Sequence, residues 1–290
     1  MSAKTDDFAV SMFRNPAVGV LLAQNLLFGI VYYSQLYYLP LFFQNALQLS
    51  PLVSAALILP IPFAQMTFSI ASGRWISHYE RYGVVIWAGF FLWTLGSALT
   101  TLFTRDFPLV GVVFILGCQG AGVGFVFQPT LVALQAHCSK AQRAVVISNR
   151  NFLRSTGGAI GLAASAVLLQ NRLKAELPSS FQQLALSTYS TPSFEGVSDV
   201  QKEAVLDAYA SASRSVFIFN VPFIALCLIG CLVIKDHGLQ RPEEKAAEVE
   251  QEKTGVVQDA DPKEPHISAE GTGSTGSSKL SLDRGDEKEK

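Results

Sequence analysis

Apolar positions in this chain do not alternate with polar ones along most of its length; they run on. Six long apolar runs, at about residues 17–42, 52–76, 84–103, 109–127, 144–169 and 215–234, are separated by segments that hold almost all of the charges. The hydrocarbon core of a bilayer takes roughly 20 residues of helix. Each run therefore predicts a membrane-spanning helix, and the fold class is all-α, a polytopic membrane protein with six spans. Residues 1–16 form a short polar lead without the basic start, compact apolar core and small-residue cleavage site of a signal peptide. A polar segment at 171–213, weakly helical at DVQKEAVLDAYASASR, parts the fifth span from the sixth.

The polar residues inside these runs carry the functional information. In the first span Asn25, Phe28, Tyr32 and Gln35 fall at i, i+3, i+7 and i+10, so one helix face is polar and aromatic. Polar groups in hydrocarbon need partners, so this face is expected to turn toward the bundle or a water-filled cavity. Interhelical hydrogen bonding with no substrate contact is the alternative. Tyr37 and Tyr38 suit the membrane interface. Pro60 and Pro62 are expected to bend the second span, with Gln65 just beyond the bend. Residues 73–83, GRWISHYERYG, read as a tight polar turn.

The stretch 109–170 is the centre of the chain. No charge interrupts it from Leu109 to Ala136, yet it holds Gly117, Gly120, Gly122 and Gly124 together with Gln119, Gln128 and Gln135. After a short basic hinge, SKAQRA, the fifth span opens with Arg150 and Arg154 and continues with Gly157, Gly158, Gly161 and Ser165. Gly120 with Gly124, and Gly157 with Gly161, have the small-xxx-small spacing that lets helix backbones approach in lipid. The two spans are expected to be closely packed helices that slide against each other beside a polar cavity. Arg150 and Arg154 either snorkel to the headgroups or face that cavity.

Composition and charge sharpen this picture. Hydrophobic residues make up 49% of the chain and charged residues 16%, against the usual quarter or so for charge in soluble domains. The near-zero net charge hides a split. The tail from residue 235 holds 9 basic and 14 acidic residues, a net of −5, which leaves 13 basic and 9 acidic residues, +4, on the rest. The tail is rich in Gly, Ser and charge and nearly free of aromatics, a composition that predicts disorder. The basic residues between spans fix topology instead of forming a nucleic-acid surface, so no nucleic-acid partner is expected. Their denser set puts both termini in the cytoplasm and 171–213 outside. Cys118, Cys138, Cys227 and Cys231 read as small apolar filler, with Cys227 and Cys231 sharing a helix face but lacking other ligand-type neighbours. His78, His137, His237 and His266 are scattered. No metal, cofactor or catalytic residue is expected, and no GxSxG, Walker, HExxH or dinucleotide motif occurs, so the chain does not read as an enzyme.

The succession FRNPAVGVLLAQNLLFG, SQLYYLPLFFQ, SPLVSAALILP, GRWISHYERYG, GAGVGFVFQPTLVALQA and RNFLRSTGGAIGLA resembles the C-terminal half of major facilitator superfamily transporters. It is most similar to the fungal fourteen-span multidrug and toxin efflux branch. In the loop motif of that superfamily, Gly73 and Arg81 match, but Ser77 stands where an Asp would be and Glu80 where a second Gly would be. That departure argues against a strong gating role for this loop. The resemblance implies two six-helix halves rocking about a midplane cavity, of which this chain supplies one. The first, second, fourth and fifth spans would line the cavity, with Asn25, Tyr32, Gln35, Gln65, Gln119 and Gln128 facing the substrate. Gly120, Gly124, Gly157, Gly161, Arg150, Arg154, Gly73 and Arg81 would serve helix packing and gating.

The implied function is efflux of small amphipathic organic molecules, drugs or toxins, in an integral protein of the plasma or vacuolar membrane. The expected partners are membrane lipids, a small organic substrate and an N-terminal transporter half. The branch usually works as a proton antiporter. Between residues 17 and 169 the only carboxylates are Glu80 and Asp106, both in loops, so no proton carrier is visible in these spans. Two other readings stay open: a six-span protein that dimerises, and a truncated or regulatory membrane protein that does not transport.

Overall fold

The computed structural model describes residues 16–138, 143–177, 181 and 198–232. Their elements are helices throughout: α1 Pro16–Asn45, α2 Pro51–Ile58, α3 Pro60–Tyr79, α4 Gly83–Thr100, α5 Leu109–Ala136, α6 Arg143–Glu176 and α7 Asp199–Gly230. Together α2 and α3 make one apolar stretch, so the described residues hold six helical segments long and apolar enough to cross a membrane. The chain is an all-α polytopic membrane protein. The shortest span, α4 with 18 residues, reaches about 27 Å at helical rise, close to the thickness of the hydrocarbon core.

Local sequence explains the breaks. Ser50 caps α2, its hydroxyl accepting from the Val53 amide, and Pro51 sits in the first turn, where its missing N–H costs nothing. Pro60 and Pro62 cannot donate to carbonyls one turn back, so the second span divides at Leu59. The expected turn at 73–83 is shorter than its sequence implied. Helix α3 continues through Gly73 and Arg74 to Tyr79, and the chain turns only at Glu80–Tyr82. Glu80 adopts φ 55° there, the left-handed conformation that favours glycine at a helix C-terminus. This gives a physical reading of the motif comparison, because Glu80 occupies the position where the resemblance calls for a Gly.

Several helices run further than their apolar segments, α5 among them, which continues to Ala136. Helix α6 extends to Glu176, and α7 begins at Asp199 where the apolar run begins at about 215. A helix that leaves the hydrocarbon no longer needs an unbroken apolar surface, so hydropathy marks the span and not the helix. The lead except Pro16, residues 139–142 of the SKAQRA hinge and the acidic tail lie outside the described residues.

Helix α1 packs along α6 and α7, α4 joins α5 to α7, and α3 packs chiefly on α5. The expected seam between the fourth and fifth spans is not formed, since α5 and α6 touch only slightly. Their glycines face different partners. A Cβ on Gly120 or Gly124 would strike the Ile61 or Gln65 carbonyl of α3, and one on Gly157 or Gly161 would strike the Leu26 or Ile30 carbonyl of α1. Gly29 returns the fit, facing the Arg154 carbonyl. Spacing alone announces a close approach without naming the neighbour.

The apolar core has two parts. One, at the end where α1 begins, contains Leu21, Phe28, Tyr82, Phe90, Trp93, Val126 and Ile224. The other contains Tyr38, Phe42, Phe103, Leu116, Leu169, Tyr209 and Phe217. Between them lie the buried polar residues Ser34, Gln35, Ser97, Gln119, Ser165 and Asn220. These six thus form a polar layer between two apolar caps, while other buried polar side chains, such as Gln24, Asn25, Ser72, Thr130 and Arg150, lie at other depths.

Candidate substrate cavity

Three spans build the centre of this polar layer. Gln35 of α1 donates through Nε2 to Ser97 Oγ of α4 at 3.0 Å, and Gln119 of α5 donates to the same oxygen at 3.2 Å. Trp93 Nε1 donates to Gln35 Oε1 at 3.4 Å. The junction exists because Gly96 leaves room for the α5 backbone: a Cβ there would sit 3.0 Å from Gln119 Cα. The amides of Gln35 and Gln119 and the Trp93 indole thus each donate to an acceptor, while Gln119 Oε1 is buried without a hydrogen-bond partner.

Beside the junction, Tyr32 donates to Gln65 Oε1 of α3 at 3.3 Å. Tyr32, Gln35, Leu36, Ile61, Gln119 and Val123 line a small cavity of about 10 Å³, room for about one water. Four of the expected cavity residues are therefore brought together: Tyr32, Gln35, Gln65 and Gln119. Gln65 joins them through its bond to Tyr32 and not as a lining residue, and the remaining two, Asn25 and Gln128, do neither. Asn25 is buried, but its amide donates to Leu21 O on its own helix at 2.7 Å. Gln128 is exposed, away from this cavity. Trp93 and Ser97 were missed by sequence reasoning. Gly96 next to a lone serine in an apolar span was the signal for Ser97.

An aromatic strip leads from the cavity toward α6. Phe28 stacks on Tyr32 with centroids 5.4 Å apart and meets Trp93 edge-on at 4.7 Å. Phe127 lies 6.0 Å from Phe28. The Arg154 guanidinium sits 4.7 Å from the Phe127 centroid and 5.9 Å from that of Phe28, and Arg150 lies 5.2 Å from Phe127. Cations over aromatic faces in this range gain electrostatic attraction from the ring. Arg150 also donates to the Phe127 carbonyl at 2.6 Å, and Arg154 to Asn151 Oδ1 at 3.1 Å. Pro129 lies nearby, but the carbonyl its missing N–H leaves free is that of Phe125, one turn back, and not that of Phe127. The Thr130 hydroxyl bonds the neighbouring Val126 carbonyl at 2.8 Å. Arg150 is only 3% exposed and points inward. It does not snorkel.

The remaining expected packing and gating residues fall in two groups. Gly120, Gly124, Gly157 and Gly161 lie in the seams described above, where Ser165 also donates to Ser34 Oγ at 3.2 Å. Gly73 and Arg81 are exposed, and nothing lies within 4 Å of a Cβ on Gly73. At the opposite end of the bundle Arg105 bridges Glu203 and Asp207, which ties the α4–α5 loop to α7. Those hydrogen bonds, Glu203 first, hold the Arg105 guanidinium above its usual range. Among the described residues no group of His, Cys, Asp and Glu is placed to hold a metal ion.

Comparison with known proteins gives consistent matches. The family model described as Major Facilitator Superfamily matches residues 3–162. Citrate exporter 1 of Yarrowia lipolytica is 40% identical over 252 residues, which covers 85% of this chain and 37% of that protein. The MFS-type transporter clz4 of Cochliobolus lunatus is 38% identical over 242 residues, covering 83% of this chain and 43% of the relative. Efflux pump dotC of Dothistroma septosporum is 27% identical over 231 residues, 77% of this chain and 39% of the pump. The chain thus spans about two fifths of the length of these relatives.

Proposed function

The chain belongs to the major facilitator superfamily, a family of transporters and not of enzymes, and from that premise we propose that it is the C-terminal six-helix half of an exporter. It moves small amphipathic organic molecules, drugs or toxins among them, by alternating access together with an N-terminal half. The observation that carries this reading is the polar layer of Gln35, Ser97 and Gln119, with Tyr32 and Gln65 beside it, set at one depth between two apolar caps. Transporters of this kind bind substrate near the bilayer midplane at the interface of two repeats. A polar layer with an aromatic flank suits a substrate that is part apolar and part polar.

The position of α3 supports a second half. Phe63 and Met66 on this helix are 67% and 68% exposed, and α3 packs chiefly on α5. Docking of an N-terminal half on this side would cover the face and enclose the cavity. The described spans supply no buried carboxylate for a proton, so antiport coupling belongs to the other half in this reading. The density of basic residues in the short loops supports cytoplasmic termini, and the plasma membrane is the expected location.

The test is an export assay in yeast depleted of its own pumps. The chain is expressed alone, and together with the part of the Yarrowia relative that precedes the matched region. Efflux of a fluorescent amphipathic dye and of radiolabelled citrate is followed. Export by the pair and not by either part is the expected result. Export by the chain alone would favour a self-sufficient dimer, and no export in any pairing would favour a membrane protein that does not transport.

A further inference from the structure

We propose that Arg150 and Arg154 form the anion subsite of the cavity, and that the molecule transported carries a carboxylate held by these two guanidinium groups. The proposal rests on the transport reading and names its substrate class. Its basis is a pair of cations with no compensating anion among the described residues. The two arginines stand at i, i+4 on α6, one turn apart, with both heads against the same Phe127 ring. Arg150 is 3% exposed. Its Nε and the Nη1 of Arg154 are buried without a hydrogen-bond partner. Among the described residues the ion pairs are those of Arg105 with Glu203 and Asp207 and of Arg172 with Glu176. Among the described residues no carboxylate reaches Arg150 or Arg154. Their partners are a backbone carbonyl, the Asn151 amide and aromatic faces.

Depth makes the lack of an anion significant. Phe28, which Arg154 faces, packs edge-on against Trp93, near the middle of the 18-residue helix α4. Ionised side chains at that depth are rare and mark substrate pathways unless paired. An unpaired guanidinium keeps its planar fork of donors, a shape that matches a carboxylate in a bidentate way. Access is also present. Arg154 is only partly buried, and its neighbours Asn151 and Phe152 are exposed. The Phe127–Phe28–Tyr32 strip then runs from the cations to the Gln65 and Gln119 amides. In a state of the transport cycle more open than this one, whose cavity has room for about one water, an organic acid would follow that order: carboxylate on the arginines, apolar body along the rings, further polar groups at the amides. The 40% identity to a protein named as a citrate exporter agrees with this chemistry.

The experiment measures equilibrium binding of radiolabelled citrate to membranes holding the full chain, alone and paired with an N-terminal half. Benzoate, triethyl citrate and a short-chain phosphatidylglycerol serve as competitors. Saturable citrate binding displaced by benzoate but not by the uncharged ester is expected. Arg150→Gln and Arg154→Gln should each weaken it by tenfold or more. Arg154→Lys, which keeps the charge and loses the fork, should fall between. Monodisperse elution of each variant in mild detergent separates loss of the site from loss of the fold. Equal competition by the ester would overturn the proposal. So would unchanged binding in folded glutamine variants, displacement by the phospholipid alone, or no saturable binding in either membrane. Citrate binding without export would leave this site standing and remove the transport reading; export without anion preference would do the reverse.

Discussion

Replacing Gly161 with alanine should pry α6 from α1, and the cost can be worked from the packing. An ideal Cβ on Gly161 lies 2.5 Å from the Ile30 carbonyl oxygen, whereas ordinary contact begins at 3.4 Å. The backbones must therefore separate by about 0.9 Å, and a gap of that size forfeits a quarter to a half of each dispersion contact it opens. Gly29 and Gly157 line the same seam, against the Arg154 and Leu26 carbonyls, so the loss spreads along several turns. Overfilling a close-packed contact costs about 1–3 kcal/mol, and we take about 2 here. Alanine also favours the helix over glycine by up to about 1 kcal/mol, which blurs a single measurement. Gly117→Ala removes the ambiguity, because nothing lies within 4 Å of a Cβ at Gly117. It gains the same helix propensity without the clash. The full chain in mixed micelles, unfolded by titration with sodium dodecyl sulfate and followed by circular dichroism, should show Gly161→Ala about 2 kcal/mol less stable than Gly117→Ala. Variants within about 0.5 kcal/mol of each other, the scatter of ordinary surface changes, would refute the glycine-seam reasoning.

Three further outcomes are expected. Ser97→Ala removes the oxygen on which Gln35 and Gln119 converge; at roughly 0.6–1.7 kcal/mol per interhelical bond in lipid, it should cost about 1–3 kcal/mol in the same titration. Glu80→Gly relieves the left-handed backbone at the end of α3 and should raise stability by about 1 kcal/mol, read as a higher melting temperature in detergent. Arg105→Ala opens an exposed clasp to Glu203 and Asp207; its destabilisation should be visible at low salt and absent near about 1 M, where screening acts within a few ångströms.

The spans were legible because hydrocarbon imposes a rule that composition cannot evade: every long uncharged run became a helix. Where the bilayer ends, so does the rule. The extension of α6 to Glu176 lies in polar sequence that hydropathy passes over, and the start of α7 at Asp199 showed only as the weakly helical DVQKEAVLDAYASASR. The cavity was legible in part. Gln35 and Gln119 stood out as amides in apolar helices, but Asn25 looked the same and bonds back to its own helix. Only the relative rotation of helices separates the two cases. Ser97 and Trp93 gained their roles from tertiary contact through Gly96, a neighbour relation that a linear pattern does not contain. The glycine stripes announced close approach, while α1 and α3 as their partners emerged only from the fold.

The central claim is that this chain works as one half of a transporter, and its molecular state in native membranes tests that directly. An antibody raised against residues 235–290 would be used to capture the protein after mild cross-linking, and the mass of the captured species read. A half-transporter predicts the tail epitope on a species well above the 31.4 kDa of this chain, containing a second, different set of six membrane-spanning helices. A lone species at 31.4 kDa, with no such partner cross-linked to it, would contradict the claim.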